Sequence, residues 1–204
     1  MNLFGKHIIL GSGSPRRREL LAALGVEFEV DCGNNFIEST PPDCPHSKIP
    51  EIMSIGKSHG FHRELLDNEI LITADTLVLC HAENDSGDWD GGEVFGKPKD
   101  REDAFRMLRR LSGDCHKVIT AVTIRDCKDE LTFSDTCKVF FDTMSDEEIA
   151  YYIDNYKPFD KAGAYGIQEW IGYAFNSSVD GSFITVIGLP VHLVYKELKE
   201  FIKR

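Results

Sequence analysis

Arg16 and Arg17 follow Gly11-Ser12-Gly13-Ser14-Pro15, and residue types in that order can hold phosphate. A glycine turn entering a helix leaves N–H groups unpaired at the positive end of the helix dipole, which suits an anion. Ser14 can accept from those first N–H groups, and Pro15 has none to waste at the first helical position. Two guanidinium forks then match phosphate oxygens in shape and charge. The stretch is neither Gly-x-Gly-x-x-Gly nor Gly-Lys-Ser/Thr, so both common glycine-rich nucleotide fingerprints are missing. Cations at a helix start are also mildly unfavourable unless an anion sits between them. Spacing alone therefore leaves two readings, a phosphate grip or an ordinary strand–turn–helix.

Asp75 is the second chemical signal. It interrupts an apolar run from Glu69 to Cys80, where an unpaired carboxylate is costly to bury, so a structural partner or a metal is expected. Gly96-Lys97-Pro98 fixes a lysine at a rigid turn. Glu38, beside Phe36 and Ile37, and Lys57, in the middle of a helical stretch, read locally as solvated side chains.

The elements that position these groups follow from pattern. Ile8 to Leu10 reads as a strand and Ser14 to Gly25 as a helix, with Leu20, Leu21 and Leu24 inward. Val26 to Cys32 alternates as a second strand, and 33–50 is a Pro- and Asn-rich loop. A helix is expected from Ile49 to Leu66, with Ile52, Ile55 and His59 sharing a face. The run around Asp75 predicts a strand covered on both faces. Asn84 to Glu93 reads as a surface loop, a hairpin tip or insertion, out of register for a calcium loop. Asp100 caps a helix to Leu111, with Ala104, Leu108 and Leu111 inward. His116 to Arg125 and Glu130 to Asp142 form an antiparallel hairpin. Ser145 and Glu148 make a capping box for a helix through Asn155. The 160–168 loop leads to an irregular strand region, and Gly188-Leu189-Pro190 opens a last helix burying Leu193, Val194, Leu198 and Ile202. An early βα unit, a later hairpin and flanking helices indicate an α/β protein with a mixed sheet.

Composition narrows the partners. The 204 residues carry a formal net charge of −11, which argues against a general grip on nucleic acid or an anionic membrane, while leaving room for a small phosphate ligand. No apolar run approaches the ~20 residues that span a bilayer, and the N-terminus lacks a signal-peptide pattern. The cysteines at 32, 44, 80, 115, 127 and 137 show no C-x-x-C pair, so buried free thiols in a reducing cytoplasm are expected rather than zinc or disulfides. No linker or repeat divides the chain, and 1–204 reads as one domain.

Six blocks in order resemble the Maf-like protein family. They are Ser12-Gly-Ser-Pro-Arg16-Arg17-x-Glu19-Leu20-Leu21, Ala74-Asp75-Thr76, Gly96-Lys97-Pro98, Leu111-Ser112-Gly113 with His116, Asp160 to Gln168, and Gly188-Leu189-Pro190. Each is weak alone; together, across residues 8 to about 200, they are highly specific. The resemblance implies a Maf/inosine-triphosphatase-like fold, with an elongated mixed β-sheet flanked by helices and two lobes around a cleft. It implies a nucleoside triphosphate pyrophosphatase with Mg²⁺ or Mn²⁺, and a homodimer is the usual assembly. By position it assigns Ser12, Arg16, Arg17, Lys57 and Lys97 to the triphosphate. Asp75 matches the general base, and Glu38 with Asp75 the metal ligands. Arg16, Thr76 and Gln168 match positions that separate a dTTP/UTP-cleaving branch from one acting on 7-methyl-GTP, and Thr and Gln there resemble the pyrimidine branch. Gly11 stands where the family usually has alanine, and Ser54-Ile-Gly-Lys-Ser-His lacks the common Ala-x-x-Lys-Ala.

The residues agree with that chemistry. Cleaving the α–β bond is chiefly positioning and charge neutralisation, and four cations plus a metal could offset a triphosphate of roughly four negative charges. Hard oxygen ligands such as Asp75 and Glu38 suit Mg²⁺ or Mn²⁺. Thr76 and Gln168 can each donate and accept toward the O4/N3 edge of uracil or thymine. The competing readings are 7-methyl-GTP hydrolysis, a non-hydrolytic nucleotide-binding regulator of cell division, and a nucleotidyltransferase.

Overall fold

A computed structural model describes residues 5–83 and 87–203. Asn84, Asp85 and Ser86 of the acidic loop lie outside the described residues. The limbs of that loop pair as a hairpin, with Cys80 N donating to Glu93 O (2.9 Å) and Ala82 N to Asp88 O (2.8 Å).

The sheet is built on β3 (Glu69–Cys80), the strand that carries Asp75. On one side it pairs antiparallel with β5 (Cys115–Arg125), which pairs with β6 (Glu130–Phe141) and through it β7 (Asn176–Asp180). On its other side β3 is shared. Parallel β1 (His7–Leu10), itself flanked by parallel β2 (Phe28–Val30), covers the first part up to Ile72. Short antiparallel β4 (Val94–Phe95) covers Val78 and Leu79. Among the described residues no strand pairs β3 on that side from Thr73 to Leu77. The opening lies beside Asp75, where the backbone has polar groups left for other partners.

Pleating sends alternate side chains of β3 to opposite faces. Ile70, Ile72 and Ala74 join one apolar core with Leu21 of α1 (Pro15–Ala23) and Val194, Leu198 and Phe201 of α7 (Val191–Phe201). Val78 and Cys80, on the same face, join a second core with α3 (Arg101–Leu111) and α4 (Asp146–Tyr156). Thr76 lies between them, paired in register with Thr120. A polar rung therefore parts two cores on one face, and there the cleft opens. Burial in both cores makes β3 a nearly continuous apolar strand.

The opposite face carries α2 (Ile49–His59). The sequence pattern places Ile52, Ile55 and His59 together on one face and runs the helix to Leu66. The structure ends the helix at His59, and the face those three share is not the buried one. The buried positions are Pro50, Met53, Ser54 and Ser58, whereas His59 is exposed beside Glu130. The sheet beneath is polar: Ser54 Oγ lies 2.9 Å from Thr123 Oγ1, and Thr73 Oγ1 donates to Ser54 O at 2.8 Å. Small hydroxyls, rather than large aliphatic groups, bring this helix close. It stops at Gly60 because Asn35 N donates to Gly60 O (2.7 Å) and Phe36 packs against it; a Cβ there would meet Phe36 Cβ at 2.6 Å.

Local signals elsewhere match the elements. Ser14 caps α1, Asp100 caps α3, and Ser145 with Glu148 forms the capping box of α4. Gly11 is explained by β3, since a Cβ would meet Thr73 Cγ2 at 2.9 Å. The region after 168 differs from an irregular strand: α5 (Trp170–Phe175) and α6 (Phe183–Ile187) flank β7. In α1 Leu21 is fully buried with Leu20 and Leu24 partly buried against the same core, and in α7 Phe201 takes the depth expected of Leu193 while Ile202 packs half-buried beside it. All six cysteines are free, with Cys80 and Cys137 buried but Cys32 and Cys127 exposed. No described helix is long and apolar enough to cross a membrane.

Candidate active site

The opening beside β3 leads into a cleft of about 690 Å³. All the residues singled out in the sequence line it: Ser12, Arg16 and Arg17 from β1–α1, Glu38 and Lys57, Asp75 and Thr76, Lys97, and Gln168. They arrive from both faces of the sheet, and the two sides differ in chemistry.

On the α2 side, Lys57 Nζ lies 2.6 Å from Asp75 Oδ1 and 3.0 Å from Glu38 Oε1. Two carboxylates therefore converge on one ammonium. Glu38 reaches it because Phe36 lies across α2 at Gly56, where a Cβ would sit 2.2 Å from Phe36 Cζ. Asn34 fastens the same loop, donating to Lys57 O at 2.5 Å and accepting from Phe36 N at 2.8 Å. Gly56 is thus the receptor for Phe36. Asp75 Oδ1 is taken by Lys57, while Oδ2 has no partner among the described residues.

On the other side, Arg17 is a hub. Its Nε donates to Gly188 O (2.8 Å), Nη1 to Ala74 O (2.8 Å) and Ser12 Oγ (3.3 Å), and Nη2 to Thr76 Oγ1 (3.0 Å). Ala74 O is one of the groups left by the gap between β1 and β4. Burial lowers the Arg17 pKa, with nearby Asp75 opposing that shift. Most of this fork is thus committed to the protein. Arg16, by contrast, reaches across to a distant loop, where Nη1 meets Asp160 Oδ2 at 2.6 Å and Nη2 donates to Asp160 O at 3.2 Å. Lys97 is an exposed cation at the rim, with no ion pair among the described residues.

Thr76 is more constrained than its side chain implies. Thr120 Oγ1 donates to the carbonyl of Thr185 (2.9 Å), so its 3.0 Å contact with Thr76 Oγ1 takes the Thr76 proton. With Arg17 on one lone pair, Thr76 can offer a ligand an acceptor but no donor. Gln168 offers a second acceptor: its Oε1 is buried with no hydrogen-bond partner among the described residues. A buried amide oxygen left alone costs on the order of 1–3 kcal/mol, so a ligand with a matching donor gains by filling it.

The local reading of the sequence passed over three groups. Lys161 lines the cleft with its ammonium between Asp160 and Glu169. Tyr165 forms part of the wall, its hydroxyl 2.8 Å from Nε2 of fully buried His116. Burial drives the His116 pKa down to about 3 and the Tyr165 pKa up, so both are neutral. The available signal was the small-residue run after Lys161, which lets a long cation lie deep.

No three His, Cys, Asp or Glu side chains group as a complete metal cage among the described residues. The oxygen pair of Glu38 and Asp75 still fits a hard divalent ion, since magnesium commonly takes one or two carboxylates and leaves other positions to water and phosphate.

Comparison with known proteins gives the same direction. The sequence profile of the Maf-like protein family matches residues 7–201. A dTTP/UTP pyrophosphatase of Porphyromonas gingivalis (strain W83) is 45% identical over 202 residues, covering 98% of this chain and 96% of that protein. A protein of that name from Bacteroides thetaiotaomicron is 45% identical over 199 residues, 98% of each chain. Another, from Flavobacterium johnsoniae, is 42% identical over 94% of this chain and 93% of its own length.

Proposed function

The chain belongs to the Maf-like protein family, and we propose that it hydrolyses nucleoside triphosphates, preferring dTTP and UTP, to the monophosphate and pyrophosphate. The observation that carries this reading is the meeting of Asp75, Lys57 and Glu38 with Arg16, Arg17 and Thr76 across one open edge of β3.

In this reading Asp75 is the general base. Lys57 fixes Oδ1, and Oδ2 takes the proton of the water that attacks the α-phosphorus. Arg16, Lys57 and Lys97 neutralise the phosphate oxygens, and Ser12 and Arg17 hold the wall against which they lie. Such a reaction is driven by placement and by charges already in position, and these residues supply both. Glu38 and Asp75 would hold Mg²⁺ or Mn²⁺, which supplies charge neutralisation at the phosphates. The orphaned Gln168 Oε1 suits the N3–H of uracil or thymine, and Thr76 leaves one further acceptor at the cleft. The same reading places the protein in the cytoplasm, working on free nucleotides, and the net charge of −11 supports the exclusion of nucleic acid.

The test is a panel of nucleoside triphosphates assayed for pyrophosphate release with and without Mg²⁺ or Mn²⁺. dTTP and UTP should turn over fastest, and only with metal. Preference for 7-methyl-GTP would contradict the base assignment. Binding without release from any nucleotide would contradict hydrolysis and favour a regulator.

A further inference from the structure

We propose that Lys161 is an additional phosphate-binding cation of this cleft, and that Asp160 is an internal anion that holds Lys161 and Arg16 until phosphate displaces it. The inference rests on reading the cleft as a triphosphate site.

Lys161 comes from the loop before the short turn Ala162–Ala164, on the wall that also carries Gln168. Only 9% of its side chain is exposed, and an ammonium that deep needs anionic partners. It has two, and they are unlike each other. Glu169 (3.1 Å) is anchored: its other oxygen accepts from Tyr152 Oη, which in turn accepts from Gly166 N at 2.9 Å. Gly166 leaves the room this needs, since a Cβ would come within 2.8 Å of the Glu169 carboxyl carbon. Asp160 has no such anchor. Its side chain is 54% exposed, and its carboxylate spans Lys161 at 2.8 Å and Arg16 at 2.6 Å.

One oxygen on each of two cations, across a cleft wall, is the arrangement a phosphate group would adopt there. Asp160 keeps the like charges of Arg16 and Lys161 together in the empty site, and a more highly charged phosphate outcompetes it. Glu169 stays behind and keeps Lys161 directed at the site. Burial opposes the charge on Asp160, but its bonds from Lys161 and Arg16 prevail and hold its pKa down at about 2, so the placeholder is an anion at neutral pH.

Calorimetric titration with inorganic tripolyphosphate, without nucleotide or metal, tests this, because binding is read without hydrolysis. Asp160→Asn should bind about tenfold tighter, and Lys161→Gln about tenfold weaker, the scale of one charge-assisted bond. Lys161→Arg should stay within about threefold of the parent. Lys161→Gln combined with Glu169→Gln removes both partners, guarding against misfolding from an unpaired carboxylate; its thermal midpoint establishes that it is folded. Unchanged or weaker binding by Asp160→Asn, or parental affinity in the folded double variant, overturns the inference. If these shifts appear in a protein that cleaves no nucleotide, the inference stands and the hydrolase reading falls. If nucleotides are cleaved while the double variant binds tripolyphosphate as the parent does, only the inference falls.

Discussion

Lys57 Nζ lies 2.6 Å from Asp75 Oδ1, one side chain coming from α2 and the other from β3, the strand that this helix covers. The contact fixes one oxygen of the carboxylate and leaves the other for chemistry. It also explains how an acid can stand in an otherwise apolar strand: the side chain is 19% exposed, beside a gap in strand pairing, with a cation facing it. A partnered charge at a sheet opening avoids most of the cost of isolated burial.

The two arginines of α1 should behave differently when shortened to lysine. Arg17 joins α1, β3 and the Gly188 turn, so Arg17→Lys should lower stability by about 2–4 kcal/mol, a drop of several degrees or more in the melting temperature. Arg16 meets a half-exposed carboxylate, so Arg16→Lys should leave melting within about 1–2 °C and raise the KM for nucleotide instead. Thermal unfolding of the two variants, with steady-state kinetics, checks the contrast; equal melting shifts would contradict it.

Gly56 is expected to defy helix propensity. Alanine in mid-helix ordinarily stabilises by about 1 kcal/mol. Here a Cβ would strike the Phe36 ring and push away the loop that brings Glu38 to Lys57. Gly56→Ala should therefore raise the metal concentration needed for half-maximal activity several-fold, without a gain in melting temperature. Titrating activity against Mg²⁺ reads this directly, and an unchanged metal requirement would contradict the role given to the loop.

His116 sets a pH signature. Burial holds its folded pKa down to about 3, against an unfolded value near 6.5. Between those values the unfolded chain binds the extra proton, so this residue's contribution to stability is intact above about pH 6.5 and falls as pH drops toward 3. The slope from this one group approaches about 1.4 kcal/mol per pH unit. Urea unfolding of the parent and of His116→Phe from pH 7 to 4 should show a shallower acid decline in the variant. Parallel curves would contradict the assignment.

Several of these features are legible in the sequence alone. β3 was readable because a twelve-residue run buried on both faces has little local ambiguity. The caps at Ser14, Asp100 and Ser145 are decided within four residues, so sequence suffices for them. The end of α2 was not readable, because Asn35 and Phe36, far off in the chain, occupy the space beside Gly60. In the site, Glu38 and Lys57 look solvated when read locally; only the family resemblance singled them out, and the fold brings them to Asp75. The Arg16–Asp160 pair joins residues 144 positions apart and left no local trace. Helices α5 and α6 were missed because six and five residues are too few to display a helical period.

The central claim is that Asp75 carries the proton step in a cleft otherwise built to hold phosphate. Pyrophosphate release from UTP by Asp75→Asn, at saturating Mg²⁺ and with its melting temperature recorded alongside, tests it most directly. The account predicts a folded protein whose turnover falls on the order of 10²-fold or more. Turnover within a few-fold of the parent would contradict it.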